Sequence, residues 1–448
     1  MDAHFLTPLF TPKSIVVFAG PADDAERQTP YARALRAALA AAPGAAEPVY
    51  LDVQTTGTLA DLARARADLA IIALPPDEVA AAMEVAARIG CRAVLIIGSG
   101  LDAERCAQLQ RIARRENVHL LGPNSLGFQR PSLGLNASAA GPLPLEGSLA
   151  LVSQSGALTA SMLDWARHNH VGFSQVVSIG PDAAVDLAQV LDFLATDART
   201  HGIVVYLEGI ANARRFMSAL RSAAHAKPVV VLKAGRRSAG NEAALTHCRA
   251  IVGSDDVFDA ALRRAGAVRV RSFVELFSAS KCLAARYRPV GKRLGIVTNG
   301  GGPGVLAADR LPQVGLQLGR LSAENAATLA SQLPPQATLQ GLIDVSEDAT
   351  PAQLKLAVEA AARDAEIDGV LVIHAPKPGC DPSAMARALA ELRQGLSKPL
   401  LACWMGDSPV LQAARAVLNE AQIPSFRTPE AGVGAFGHIA AFYANQRL

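Results

Sequence analysis

No stretch of the 448 residues reaches the roughly 18 uninterrupted apolar side chains of a membrane helix, which excludes a helical membrane protein. The opening residues, MDAHFLTPLFTPKSIVV, lack the basic start and clean apolar run of a secretory signal, so a cytoplasmic location is expected. Cysteine is sparse: Cys91, Cys106, Cys248, Cys282, Cys380 and Cys403 are scattered, without a C-x-x-C pair. That spacing excludes a disulfide scaffold and reads as reduced thiols. Nor does one sign of charge dominate. Lys and Arg number 43 against 40 Asp and Glu, interspersed, which argues against the clustered basic face of a nucleic-acid binder. The pairs Arg236-Arg237 and Arg263-Arg264 read first as solvated helix faces.

Two missing motifs narrow the function. After the first strand candidate the chain runs FAGPADDAER instead of G-x-G-x-x-G, which makes a nicotinamide-dependent dehydrogenase the least favoured reading. No glycine turn ends in G-K-[ST], so a P-loop for nucleotide phosphates is not expected on this chain.

Aromatic residues make up 4% of the chain and apolar residues half of it. With alanine dominant, this suits Ala-faced helices packed on aliphatic strands. The length favours about three domains. Short β-branched runs alternate with helical stretches, the signature of parallel α/β folds. Strands are predicted at 14–18, 48–52, 69–74, 93–98 and 119–121, with helices at 31–41 and 77–89 between them. This first unit reads as a Rossmann-like, doubly wound fold. Gly-, Pro- and Ser-rich sequence follows from Pro131 to Gly147.

The remainder repeats itself. GSLALVSQSGALTASMLDWA, from Gly147, parallels KRLGIVTNGGGPGVLAADRL, from Lys292; HGIVVYLEG, from His201, parallels DGVLVIHAP, from Asp368; KPVVVLKAG, from Lys227, parallels KPLLACWMG, from Lys398. Each copy reads as a flavodoxin-like unit, and RYRPVGK, Arg286 to Lys292, joins them. The expected domains are 1–130, 145–285 and 292–448.

Within the second unit, Ser153 to Gly156 turns a strand into a helix with Leu158, Met162 and Trp165 on one predicted face. The free N–H groups and positive dipole end of such a turn suit a phosphate, although a plain N-cap is equally served by Ser155. Glu208 ends a strand at the carboxyl edge, where doubly wound sheets place their sites. His247 lies in a loop, and from the residues alone an ordinary surface histidine is the leading alternative. Lys233, Gly235 and Arg236 follow another strand end.

GPNSLG at Gly122, SQSGAL at Ser153, YLEG at Tyr206, KAGR at Lys233 and THCRAIVGSDDVFDAALRRAG at Thr246 stand in one order. So do TNGGGPGVLAAD at Thr298 and PSFRTPEAGVGAF at Pro424. In this the chain resembles the alpha subunits of ADP-forming acetyl-CoA synthetase over nearly its whole length. Its first two units are also similar to succinyl-CoA synthetase alpha. With GLNAS after GPNSLG, it resembles the synthetase-like half of bacterial protein lysine acetyltransferases as well.

The resemblance implies an acid–CoA ligase that interconverts acyl-CoA, phosphate and ADP with a small carboxylic acid, CoA and ATP. Acyl-phosphate and phosphohistidine are the implied intermediates. His247 aligns with the phosphorylated histidine and Glu208 with the residue that orients it. Ser153, Ser155, Gly156 and Gly253 fall on phosphate-binding positions. Gly20, Pro75, Pro76, Ser99, Pro123 and Asn124 fall on CoA-binding positions. No metal is implied on this chain; ATP or ADP and Mg2+ are expected on an ATP-grasp beta-type partner, in an oligomer.

Two departures stand out. Ala19 and Pro21 replace the glycine and serine of the first turn, with Asp23 and Asp24 following, so the CoA phosphate seat must differ in detail. Cys248 and Arg249 stand where Thr and Gly are usual. These changes support the alternative reading, a CoA-responsive regulatory protein without turnover.

Overall fold

The computed structural model describes residues 4–22, 28–42, 47–53, 67–169, 171–180, 184–236, 240, 254–284, 287 and 290–448. Contacts divide the chain into two compact units, Met1–Arg269 and Val270–Leu448.

The first unit holds two sheets. In the first sheet β1 (Ile15–Phe18), β2 (Val49–Tyr50), β3 (Leu69–Ile72), β4 (Ala93–Ile97) and β5 (His119–Ser125) lie in the order β2-β1-β3-β4-β5. The helices are α1 (Thr7–Phe10), α2 (Pro30–Ala40), α3 (Val79–Arg88) and α4 (Ala103–Arg115). β1, β3 and β4 are buried at every residue, as strands of a parallel sheet covered on both faces must be. Alternate side chains serve different cores: Val16 and Phe18 pack with α3 and α4, while Ile15 and Val17 join Leu35 and Leu39 of α2. That second core runs on without a break into the next sheet through Phe128, Leu135, Ala137 and Val152.

The second sheet contains β6 (Gly127–Arg130), β7 (Leu135–Ser138), β8 (Glu146–Ser153), β9 (Phe173–Ser178), β10 (Gly202–Leu207), β11 (Val229–Lys233) and β12 (Val268–Val270). Its order is β12-β11-β10-β8-β9-β6-β7. Here the structure corrects the sequence reading. β5 runs on to Ser125, beyond the predicted 119–121, and the Gly-, Pro- and Ser-rich stretch from Pro131 carries a strand that the reading did not predict. After Pro131–Leu133, Gly134 at φ 59° reverses the chain and β7 pairs antiparallel with β6. Every residue of both strands is buried, because α2 lies against β7 and covers that edge.

Helices α5 (Gly156–His168), α6 (Leu187–Thr196), α7 (Ala213–Ala226) and α8 (Asp255–Arg264) complete this unit. On α5 the buried face is Thr159, Met162, Leu163 and Ala166, rotated by about one position from the predicted Leu158–Met162–Trp165 line. Small residues, Thr159 and Ala166, let the helix sit close to the sheet, and Trp165 is left half-buried.

The two sheets meet at Gly180. A Cβ built there would lie 2.0 Å from the carbonyl oxygen of Pro123 and 2.7 Å from that of Asn124. Gly180→Ala is therefore expected to destabilise the full chain by about 1–3 kcal/mol, the ordinary cost of overpacking. A urea-unfolding midpoint equal to wild type would show that this close approach is dispensable.

The second compact unit begins with α9 (Phe273–Ala284) and carries a third sheet. β13 (Arg293–Thr298), β14 (Gln317–Leu318), β16 (Gly369–His374), β17 (Leu400–Trp404) and β18 (Ser425–Phe426) run in the order β14-β13-β16-β17-β18, and β15 (Ile343–Asp344) pairs β13. α10 (Gly301–Arg310) follows β13, and a closing helix, Pro429–Asn445, packs across it. Among the described residues no helix is long and apolar enough to cross a membrane.

Candidate active site

With the off-path β15 and the β6–β7 hairpin set aside, the remaining strands of each sheet, numbered in chain order, lie in the order 2-1-3-4-5. In such a fold the crossovers diverge between the first and third strands, and the crevice opens at their carboxyl ends. Three equivalent crevices result: Gly20 beside Ala73, Ser153–Ser155 beside Glu208, and Thr298–Gly300 beside Ala375.

In the second sheet β8 and β10 pair so that Ser153 lies opposite Tyr206. Glu208 therefore leaves β10 next to the turn into α5. Ser155 caps that helix, its hydroxyl accepting from the Leu158 N–H at 3.4 Å. The Ser155 N–H donates to the Ser153 hydroxyl at 3.2 Å, and that hydroxyl donates to the Ser155 carbonyl at 3.0 Å. The N–H groups of Gly156 and Ala157 are left at the helix end, where the dipole favours an anion. Gly156 sits tightly against Leu126; a Cβ would come 3.0 Å from the Leu126 Cγ.

Gln154, between the two serines, was not singled out in the sequence and proves central. Its Oε1 accepts from the N–H groups of Glu208, at 2.7 Å, and Gly209, at 3.0 Å, while its Nε2 donates to the Gly209 carbonyl at 3.0 Å. One amide thus fixes the backbone that presents the Glu208 carboxylate. The internal repeat carried the signal. Asn299 bonds Ala375 in the same way, accepting from its N–H at 2.7 Å and donating to its carbonyl at 3.0 Å. In that copy, however, Ala375 stands where Glu208 does and Gly300 where Ser155 does. The third-sheet turn keeps the geometry without the carboxylate or the capping hydroxyl.

The rim of the first sheet holds the remaining predicted residues. Gly20 is buried at φ 67° after β1; Asp23 and Asp24 lie outside the described residues. Pro75 and Pro76 form the turn into α3 beyond β3, with the Glu78 N–H donating to the Pro75 carbonyl at 3.0 Å. Ser99 is exposed after β4, and its hydroxyl accepts from Tyr31 at 3.0 Å. Pro123, after a cis peptide bond, and Asn124, at φ 58°, lie within β5. The rim is continuous. The Gly98 N–H donates to the Ser125 carbonyl at 3.2 Å, and the Ser125 hydroxyl to the Ser178 carbonyl of the second sheet at 2.6 Å. Asn124 and Leu126 thus lead from the first-sheet crevice to Gly180 and Gly156, beside the Ser155 turn.

His247 and Gly253 lie outside the described residues, as do Cys248 and Arg249. The residues on either side of that segment are placed. Arg236, after β11, comes within 3.9 Å of Asp255 at the start of α8, so both ends of the segment meet at the carboxyl edge of the second sheet. Burial works to raise the Asp255 pKa, but the hydrogen bond from Arg269 and the charges of Arg269, Arg236 and Lys233 outweigh it and hold the carboxyl below its ordinary value. Lys233 is buried, and desolvation pushes its ammonium down. It donates to the carbonyls of Ala234 and Gly235, both at 3.0 Å, and so organises its own turn.

Comparison with known proteins identifies the two kinds of domain and the family. The model of a succinyl-CoA ligase-like flavodoxin domain matches residues 146–283, and that of a CoA-binding domain matches 41–131. The alpha subunit of an ADP-forming acetate–CoA ligase of Pyrococcus furiosus is 32% identical over 83% of this chain and 82% of its own length. An ADP-forming acetate–CoA ligase of Archaeoglobus fulgidus is 34% identical over 85% of this chain; the match spans only 56% of that longer protein. The solved dinucleotide forming acetyl-coenzyme A synthetase 1 of Ca. Korarchaeum cryptofilum, in complex with phosphate and ADP, superposes with a TM-score of 0.89. It is 27% identical and covers 99% of this chain and 97% of its own. The fold is that of a CoA-binding domain joined to succinyl-CoA ligase-like flavodoxin domains, and the chain belongs to the ADP-forming acyl-CoA synthetase family, on the side of its alpha subunits.

Proposed function

We propose that this chain is the CoA-binding, phosphohistidine-bearing part of an ADP-forming acid–CoA ligase, divided at 1–130, 145–285 and 292–448. The observation that carries the reading is the second-sheet crevice. There the Ser153–Gly156 turn, the Gln154-fixed Glu208 and both ends of the segment bearing His247 share one carboxyl edge.

In this reading CoA lies along the first-sheet rim, against Gly20, Pro75, Pro76, Ser99, Pro123 and Asn124, and presents its thioester beyond Asn124. Phosphate attacks the acyl carbonyl, the thiolate of CoA leaves, and acyl-phosphate remains. An imidazole nitrogen of His247 then displaces the carboxylate from phosphorus. Glu208 accepts a hydrogen bond from the other ring nitrogen, which keeps the attacking one unprotonated and stabilises the charged ring. Ser153, Ser155, Gly156 and Gly253 hold the phosphoryl oxygens through N–H groups and hydroxyls. Transfer onward to ADP requires a site for nucleotide phosphates and Mg2+, which we assign to an ATP-grasp beta-type partner in a cytoplasmic oligomer. The alpha-subunit relative from Pyrococcus furiosus supports that division of labour. The acid is a small carboxylic acid; relatives are named for acetate and for 4-hydroxybutyrate.

A thermal-shift titration of the full chain tests the first half of this reading. Millimolar CoA is expected to raise the melting temperature, as a ligand selective for the native state does, and NAD to leave it unchanged. A chain that responds to NAD and not to CoA would remove the proposal.

A further inference from the structure

The first-sheet crevice departs from the usual way of holding a diphosphate, and its geometry, resting on the CoA reading above, assigns a role to Arg36. Dinucleotide folds seat the diphosphate on the N–H groups at the start of the helix after β1. That helix is α2, and its first turn is poorly equipped. Its first residue, Pro30, has no N–H, and the Thr29 hydroxyl already accepts from the Ala32 N–H at 3.0 Å. The side chain of Tyr31 crosses the same rim to reach Ser99.

A cation sits further along the same helix. The Arg36 guanidinium stacks on the ring of Tyr50, 4.2 Å from its centroid, and donates to the carbonyl of Gly20. Its Nε is buried without a hydrogen-bond partner among the described residues. Because Tyr50 pairs with Val17 across β1 and β2, the guanidinium lies over the carboxyl ends of those two strands. β2 is followed by Leu51-Asp52-Val53, which supplies an acid suited to a ribose hydroxyl but no cation for a phosphate. This corner is where a doubly wound sheet takes the adenosine ribose, and where an arginine serves when that ribose carries a phosphate. The ribose of CoA carries one, at its 3′ position.

We propose that Arg36 reads the ribose 3′-phosphate of CoA, with Tyr50 fixing the plane of the guanidinium. A planar, delocalised cation already held against an aromatic ring loses little freedom on pairing. It also presents parallel N–H donors that fit a phosphate. The role compensates for the weak helix end: the charge that discriminates the ligand lies on the adenosine side of the crevice.

Calorimetric titration of the full chain with CoA and with dephospho-CoA, which lacks only that phosphate, isolates the contact. Wild type is expected to prefer CoA by roughly 10- to 100-fold, the range for a charged hydrogen-bonded pair. Arg36→Ala should abolish the preference by weakening CoA alone, and Arg36→Lys should retain part of it. An unchanged ratio in Arg36→Ala overturns the assignment. So does an equal loss of both ligands from a variant with a native melting profile. Should Arg36→Ala fail to fold, Arg36→Gln and Tyr50→Ala provide the same comparison. A wild-type chain that binds neither ligand refutes the CoA reading itself; one that binds both equally refutes only the role of Arg36.

Discussion

With ATP, Mg2+ and an ATP-grasp partner present, the full chain is expected to take up one acid-labile phosphate, and His247→Ala none at all. The structural argument runs through Glu208. A phosphorylated imidazole needs its second nitrogen fixed, and Gln154 holds the backbone of Glu208 and Gly209 by three hydrogen bonds, so the carboxylate is presented from a rigid edge. Glu208→Gln should slow labelling by about 10²-fold or more while leaving CoA affinity near wild type, since orienting groups and anion donors contribute on that scale. Ser155→Pro should act likewise, because proline removes the N–H that donates to Ser153 and the hydroxyl that caps α5. Intact-mass analysis with acid treatment reads both effects. Label on a residue other than His247 would sink the mechanism, and no label with a competent partner would favour a regulatory CoA-binding protein instead.

The second large effect concerns the frame that carries the site. Arg130 on β6 and Asp197, which ends α6, form a buried ion pair at 2.9 Å, with side chains 5% and 8% exposed. Thr200 donates to the other oxygen of Asp197 at 2.7 Å, and Lys227 donates to the Asp197 carbonyl. Desolvation presses the Arg130 pKa down, with Asp197 opposing it. Removing one partner strands a charge without water. Asp197→Ala is accordingly expected to cost roughly 3–5 kcal/mol, and Arg130→Met with Asp197→Leu to recover much of the loss. Chemical denaturation of the single and double variants decides the point: a single variant as stable as wild type, or a double variant no better than the single, would show that the pair does not work as a unit.

Much of the architecture was legible before any coordinates. The β-branched runs located β1, β3, β4, β10 and β11 to within a few residues, because strands buried on both faces must be apolar throughout. The repeat from Gly147 and Lys292 anticipated two α/β units with matching strand-to-helix turns, β8 into α5 and β13 into α10. The face of α5 was misjudged, since small residues pack closest to a sheet and large ones are conspicuous in sequence. The β6–β7 hairpin was missed because its turn-rich composition, Pro131 to Gly134, reads as a linker until α2 is seen covering its edge.

The sequence by itself therefore determined the class of fold, the strand-to-helix turns that carry the motifs, and the family, through motifs whose residues are adjacent in the chain. Only the tertiary structure decided which of those ends meet. Gln154 and Glu208 are 54 residues apart, a Cβ on Gly180 would run into the backbone of Pro123 and Asn124, and Arg36 finds Gly20 and Tyr50 across separate loops. Such contacts depend on which strands become neighbours in space and on what stands opposite a given glycine, and neither is written in the local pattern of any segment.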